Sequence, residues 1–322
     1  MSDLITLENP VHGALAVIYG VLIFASLIVA VMKRTTPGDQ MAELSLRVSS
    51  WWFMITVFTF AILIDRVVST VFLGFISFLA FKEYISLIQT RRVDRLILLF
   101  AYLAIPLQFI VAHHGRFGLF MTFIPVWMFL FFPIAMTLTG RTQGFLRAVG
   151  TLSWGIMIAV FALSHTAMLL AAGPTLGDLA GPAGGAGLLL FLVALTQFND
   201  VAQFTWGKLF GKRKIAPSVS PKKTWEGFLG GLFTTAALAY VAGPYLTPMN
   251  GAWSALAGAI IALSGFLGDI TISAFKRDLG VKDSGGLIPG HGGILDRVDS
   301  LTYSAPVFYH FLNFFFLSER IS

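Results

Sequence analysis

Apolar residues occur along this chain in long blocks separated by short polar punctuation, with neither the strict alternation of strands nor the one-sided stripe of a soluble helix. No charged residue falls between Gly13 and Met32, a run long enough to cross the hydrocarbon core of a bilayer as a helix. Residues 1–12 carry Asp3 and Glu8 but no Lys or Arg, so the run lacks the basic start of a secretory leader and reads as a retained first span. Further blocks at 49–64, 67–88, 95–112, 117–138, 148–172, 185–204, 227–245, 252–272 and 300–318 predict about ten transmembrane helices in all. The fold class expected is an all-α polytopic membrane protein.

The loops provide a check on that count. With the N-terminus outside, the inside segments are 33–48, 89–95, 139–147, 205–226 and 273–299, and they hold 18 of the chain's 22 Lys and Arg residues. That asymmetry supports the helix count and the orientation together, and it places both long charged loops in the cytoplasm, with the protein in the cell's inner membrane. The outside loop 173–184, with Pro174, Pro182 and several glycines, marks a seam between an N-terminal helical half, 1–180, and a C-terminal catalytic half, 181–322, whose cytoplasmic loops are 205–226 and 273–299.

Composition narrows the class further. The 322 residues are 56% hydrophobic and 12% charged, with mean hydropathy +0.80, far from a soluble globular domain. The absence of cysteine excludes disulfides and thiolate metal sites or nucleophiles. A net charge of +6 could serve nucleic acid, but the basic residues lie in short loops between spans, where phospholipid headgroups or an anionic substrate are their natural partners and nucleic acid is not.

The charge that remains is concentrated. Ser273 to Asp299 holds Lys276, Arg277, Asp278, Lys282, Asp283, Asp296, Arg297 and Asp299. Asp269 closes an otherwise uncharged span, and Asp296 and Asp299 are three apart, on one face if helical. Three carboxylates at adjacent helix ends could hold Mg²⁺ while leaving positions for water and substrate phosphate; the plainer alternative is that Asp296 and Asp299 favour a helix N-terminus and Asp269 pairs with Arg277. Lys276, Arg277, Lys282 and Arg297 suit anionic oxygens, although positive-inside residues would look the same. The turn Pro289 to Gly293 suits a backbone cradle for phosphate around His291, a residue with equal claim to a structural role.

A second cluster, Gly207 to Gly227, crowds Lys212, Arg213, Lys214, Lys222 and Lys223 into one loop, with Ser220, Thr224 and Glu226 placed to cap the next helix. A basic loop entering a helix N-terminus can receive a triphosphate; a polybasic patch on anionic lipid is the alternative. Asn199 and Asp200 end a span, and an ionisable group at that depth is a functional candidate. Lys82 and Glu83, near a helix end, read as residues that snorkel to the interface.

These residues resemble a known family. The run S-x-x-K-R-x-x-x-x-K-D followed by H-G-G-x-x-D-R-x-D, filled by Ser273, Lys276, Arg277, Lys282, Asp283, His291, Gly292, Gly293, Asp296, Arg297 and Asp299, is similar to the signature of phosphatidate cytidylyltransferases, the CDP-diacylglycerol synthases. Ser220 to Gly227, SPKKTWEG, resembles a second family motif and Asn199-Asp200 a third, so the likeness covers roughly 199–300. After Asp200, where the family commonly has a small residue and then Tyr, this chain has Gln203 and Phe204, which marks a divergent subgroup and bears on the lipid substrate more than on the chemistry.

The resemblance implies transfer of a cytidylyl group from CTP to phosphatidate, giving CDP-diacylglycerol and pyrophosphate. Metal ligands carry over to Asp269, Asp296 and Asp299 for Mg²⁺; Lys276, Arg277, Lys282, Asp283, His291 and Arg297 become the candidate catalytic residues. Asp200, Ser220, Lys222, Lys223, Thr224, Glu226 and Ser273 become the candidate substrate-binding ones. A second, monovalent cation and a homodimer are further implications. The competing readings are a CTP-dependent lipid kinase, which would release CDP, a membrane transporter, and an inactive paralogue that binds lipid.

Overall fold

The computed structural model describes residues 9–35, 39–91, 94–176, 180–287 and 292–317. Thirteen α-helices carry the fold among the described residues. They are α1 (Pro10–Thr35), α2 (Asp39–Ile64), α3 (Arg66–Leu87), α4 (Arg95–His113), α5 (Phe117–Thr122), α6 (Phe129–Leu138), α7 (Phe145–Ile156), α8 (Leu163–Leu176), α9 (Gly184–Phe210), α10 (Trp225–Leu246), α11 (Gly251–Asp278), α12 (Leu295–Val298) and α13 (Leu301–Leu312). Turns of π-helix at Phe123–Met128 and Met157–Ala162 join α5 to α6 and α7 to α8 without breaking their spans.

Among the described residues nine helices are long and apolar enough to cross a membrane, so this is an all-α, multi-pass membrane protein. The tenth block, expected at 300–318, is helical as α13 followed by a π-helical stretch Asn313–Leu317. Lipid-facing positions account for the many exposed large side chains, such as Val17, Phe53 and Phe233, since in a bilayer an exposed apolar residue meets solvent of its own kind.

Helices approach closely where the sequence supplies small residues. A Cβ at Gly258 in α11 would strike Ala239 in α10, and one at Gly243 in α10 would strike Ser254 in α11. Polar contacts tie the same elements: Asn199 of α9 donates to the Ala262 carbonyl of α11 at 3.4 Å and accepts from Thr235 of α10 at 3.3 Å, and Thr196 meets Ser304 of α13 at 3.3 Å. One continuous core runs from Phe81 and Tyr84 in α3 through Leu188 and Phe191 in α9 to Phe308 in α13.

The segment 205–226 contains more structure than a loop. Helix α9 continues to Phe210, and then β1 (Lys214–Ala216) pairs antiparallel with β2 (Ser220–Thr224) as a small hairpin. Thr224 ends β2 and caps α10, its hydroxyl accepting from the Gly227 N–H at 3.2 Å. Helix α11 stops just past Lys276 and Arg277 with two nested bonds, Gly280 N–H to the Arg277 carbonyl and Val281 N–H to the Lys276 carbonyl, around a left-handed Gly280. Both devices bring charged loop residues back to one end of the bundle.

Candidate active site

At that end α9, β2, α10 and α11 converge on a cavity of about 180 Å³. Its lining includes Asp200, Gln203, Ser220, Lys223, Thr224 and Asp269. Lys223 is the centre of the charge arrangement. Its Nζ lies 2.6 Å from Asp269 Oδ2, 3.3 Å from Gln203 Oε1 and 5.1 Å from the centroid of the Phe266 ring. Burial opposes the charged ammonium, yet Asp269, with Asp200 and Asp299 behind it, outweighs burial and holds the Lys223 pKa above its ordinary value.

Asp299, at the end of α12, belongs to the same group. Burial first, and then the carboxylates of Asp269 and Asp200, push its pKa well above the usual carboxylate range; Lys276 and the Ser300 N–H, which donates to Oδ1 at 2.8 Å, pull the other way. Ser300 Oγ in turn donates to Asp200 at 3.3 Å and Ser273 Oγ to Asp269 Oδ1 at 3.2 Å. Three carboxylates around one ammonium leave an excess of negative charge.

Hard oxygen donors in excess are what a divalent cation such as Mg²⁺ takes, so the donor set fits the ion. Among the described residues no three acidic or imidazole groups stand close enough to enclose a metal by themselves.

Asp296 is engaged differently. Its Oδ1 takes Lys276 Nζ at 2.6 Å, and its Oδ2 takes the N–H groups of Ser284 at 2.8 Å and Gly293 at 3.0 Å. Burial works against its charge, but Lys276 and those two amides prevail and hold the Asp296 carboxyl below the usual range. Gly292 is required at its position twice over: its φ is +82°, and a Cβ there would stand 2.7 Å from Asp296 Oδ2.

The remaining candidates are spread around this centre. Arg277 is exposed and clamps loops, donating to the carbonyls of Val219 at 3.3 Å and Val281 at 3.1 Å. Lys222, Lys282 and Asp283 are exposed, and Arg297 has a buried Nε with no hydrogen-bond partner. Glu226 accepts from the N–H groups of Lys212 and Arg213, which fastens the hairpin. His291 lies outside the described residues.

Sequence reasoning missed two participants. Gln203 turns its carbonyl oxygen to Lys223 and leaves a buried Nε2 without a partner; its departure from the family pattern was the available signal. Glu83 accepts three hydrogen bonds from the segment around Ser284 and Leu295, and because these contacts span about 200 residues no local spacing could reveal them.

A multi-pass helical membrane protein with carboxylates and ammonium groups gathered at one end of the bundle is the class that fold and site define. The chain belongs to the cytidylyltransferase family, whose model matches residues 45–315. It is 44% identical over 301 residues to a protein of Escherichia coli (strain K12) named "Uncharacterized protein YnbB", a match covering 94% of this chain and 98% of that one. Phosphatidate cytidylyltransferases of Haemophilus influenzae and Pseudomonas aeruginosa are 45% identical over 142 residues and 46% over 124. Those matches cover 41% and 38% of this chain and just under half of each enzyme, 48% and 46%.

Proposed function

We propose that this protein transfers a cytidylyl group from CTP to phosphatidate, forming CDP-diacylglycerol and pyrophosphate in phospholipid biosynthesis. The reaction would take place at the cytoplasmic face of the cell's inner membrane. The observation that carries the reading is the ion pair of Lys223 with Asp269, with the carboxylates of Asp299 and Asp200 nearby, beside a cavity at the end of the bundle, in a chain of the cytidylyltransferase family.

An oxygen of the lipid phosphate monoester attacks the α-phosphorus of CTP in line; the new P–O bond forms as the bond to pyrophosphate breaks. The nucleophile is already anionic at neutral pH, so positioning and charge neutralisation outweigh a general base. Asp269 and Asp299 are the residues that would hold Mg²⁺, which when bound would neutralise triphosphate charge, while Asp296, given to Lys276 and the amides of Ser284 and Gly293, would fix the segment beside them. Lys223 and Lys276 each have carboxylate partners that set their position, and both can turn an ammonium hydrogen toward phosphate. Lys222, Lys282, Arg277 and Arg297 supply the outer positive field, with His291 at the leaving group or lipid phosphate, while Ser220, Thr224 and Ser273 offer hydroxyl donors. A homodimer and a monovalent cation belong to the same proposal.

Label position separates this reading from a lipid kinase. With CTP carrying ³²P at the α-phosphorus, purified protein, Mg²⁺ and phosphatidate are expected to yield a labelled lipid, and with ³²P at the γ-phosphorus, labelled pyrophosphate. Label passing from the γ-position into lipid would overturn the assignment in favour of phosphorylation.

A further inference from the structure

Glu83 lies in α3, in the N-terminal half, yet its carboxylate is bonded to the signature segment of the C-terminal half. Ser284 Oγ donates to it at 2.9 Å, the Ile294 N–H at 2.9 Å and the Leu295 N–H at 2.8 Å. Among the described residues no ammonium or guanidinium forms an ion pair with it. Helix α12 has four residues and no cap of its own, since Ile294 makes no side-chain cap bond. A single turn cannot hold itself together, so the carboxylate of a distant helix supplies the missing acceptor for its first N–H groups.

The surrounding sequence is fitted to that carboxylate. A Cβ at Gly293 would fall on Glu83 Oε2 and Ser284 Oγ, and a Cβ at Gly285 would stand 3.1 Å from Glu83 Oε1. The glycine before Ile294 therefore leaves room for a side chain that comes from the other half of the chain. Glu83 is itself held in place by its neighbour: the Tyr84 hydroxyl donates to the Thr151 carbonyl at 2.7 Å, and the ring stacks on Phe275 at 4.9 Å, beside Lys276. Asp296 grips the same segment from the opposite side through Ser284 N–H, Gly293 N–H and Lys276.

We propose that Glu83 is a positioning residue of the transfer site, by which the N-terminal half fixes Ser284 and the Ile294–Leu295 turn and so sets where Asp296 and Asp299 stand. The kinetic consequence rests on the function proposed above; the anchoring does not.

The test uses the full-length protein in detergent as wild type, Glu83→Gln, Ser284→Ala and Lys82→Gln, with Lys82 as the exposed neighbour on the same helix. Hydrogen exchange of peptides covering 284–298 and turnover per folded molecule are both measured. Glu83→Gln keeps the side chain's shape but loses the charge that strengthens three bonds. It is expected to speed exchange in that segment about 10- to 100-fold and to lower kcat about 10- to 100-fold with KM for CTP little changed. Ser284→Ala, which removes one donor, is expected to move both readouts the same way by less, and keeps the test decisive if Glu83→Gln fails to fold. Lys82→Gln is expected to match wild type. Unchanged exchange overturns the proposal, and so does a loosened segment with wild-type kcat, since a merely structural Glu83 would lower melting temperature and yield but leave kcat per folded molecule intact. A wild-type protein without cytidylyl transfer would reject the proposed function instead, and the exchange comparison would still decide the anchoring.

Discussion

Lys223 and Lys276 divide the acidic groups of the site between them, and their partners are what distinguish their roles. Lys276 and Asp296 form an ion pair whose side chains are 10% and 6% exposed, so removing either leaves a charge with little access to water. Lys276→Met is expected to destabilise the protein by about 3–5 kcal/mol, whereas Lys222→Met, at an exposed position, is expected to stay within about 0.5 kcal/mol of wild type. Unfolding in detergent followed by heat or denaturant checks both. Lys223 faces an excess of carboxylate instead, so a neutral residue there leaves Asp269, Asp200 and Asp299 uncompensated and is expected to destabilise the fold as well as to abolish most turnover.

At the scale of elements, the blocks of apolar residues made the spans legible because a bilayer demands length and hydropathy, and both are local properties of sequence. The hairpin was not legible: β1 and β2 are short, and Lys214 to Thr224 has no alternating apolar face to announce a strand. The packing of α10 on α11 depends on glycines whose importance emerges only with the partner helix in view. Gly258→Val is expected to cost about 1–3 kcal/mol by forcing α11 away from Ala239, which thermal unfolding would detect. A comparable change at Gly20, which has nothing nearby, should be silent.

For the whole molecule, the sequence motifs pointed to one end of the bundle because charged residues are so few that their clustering stands out. Contacts over long sequence separation, Glu83 to Ser284 and Lys223 to Asp269 among them, needed the fold. Orientation can be tested directly, since the chain contains no cysteine and single cysteines can be introduced without background. Cysteines replacing Thr142 and Ser218 are expected to react with an impermeant thiol reagent only in inverted vesicles, and one replacing His114 only in right-side-out vesicles. The opposite pattern would place the site outside.

The central claim is that this cluster performs nucleotidyl transfer, and pyrophosphate release tests it most directly. Purified protein with CTP, Mg²⁺ and dioleoyl phosphatidate should release pyrophosphate only when all three are present. Asp299→Asn and Asp269→Asn, inserted and folded as wild type, should lower the rate at least about 100-fold. Near-normal release by both variants, or release that does not depend on the lipid, would contradict the account.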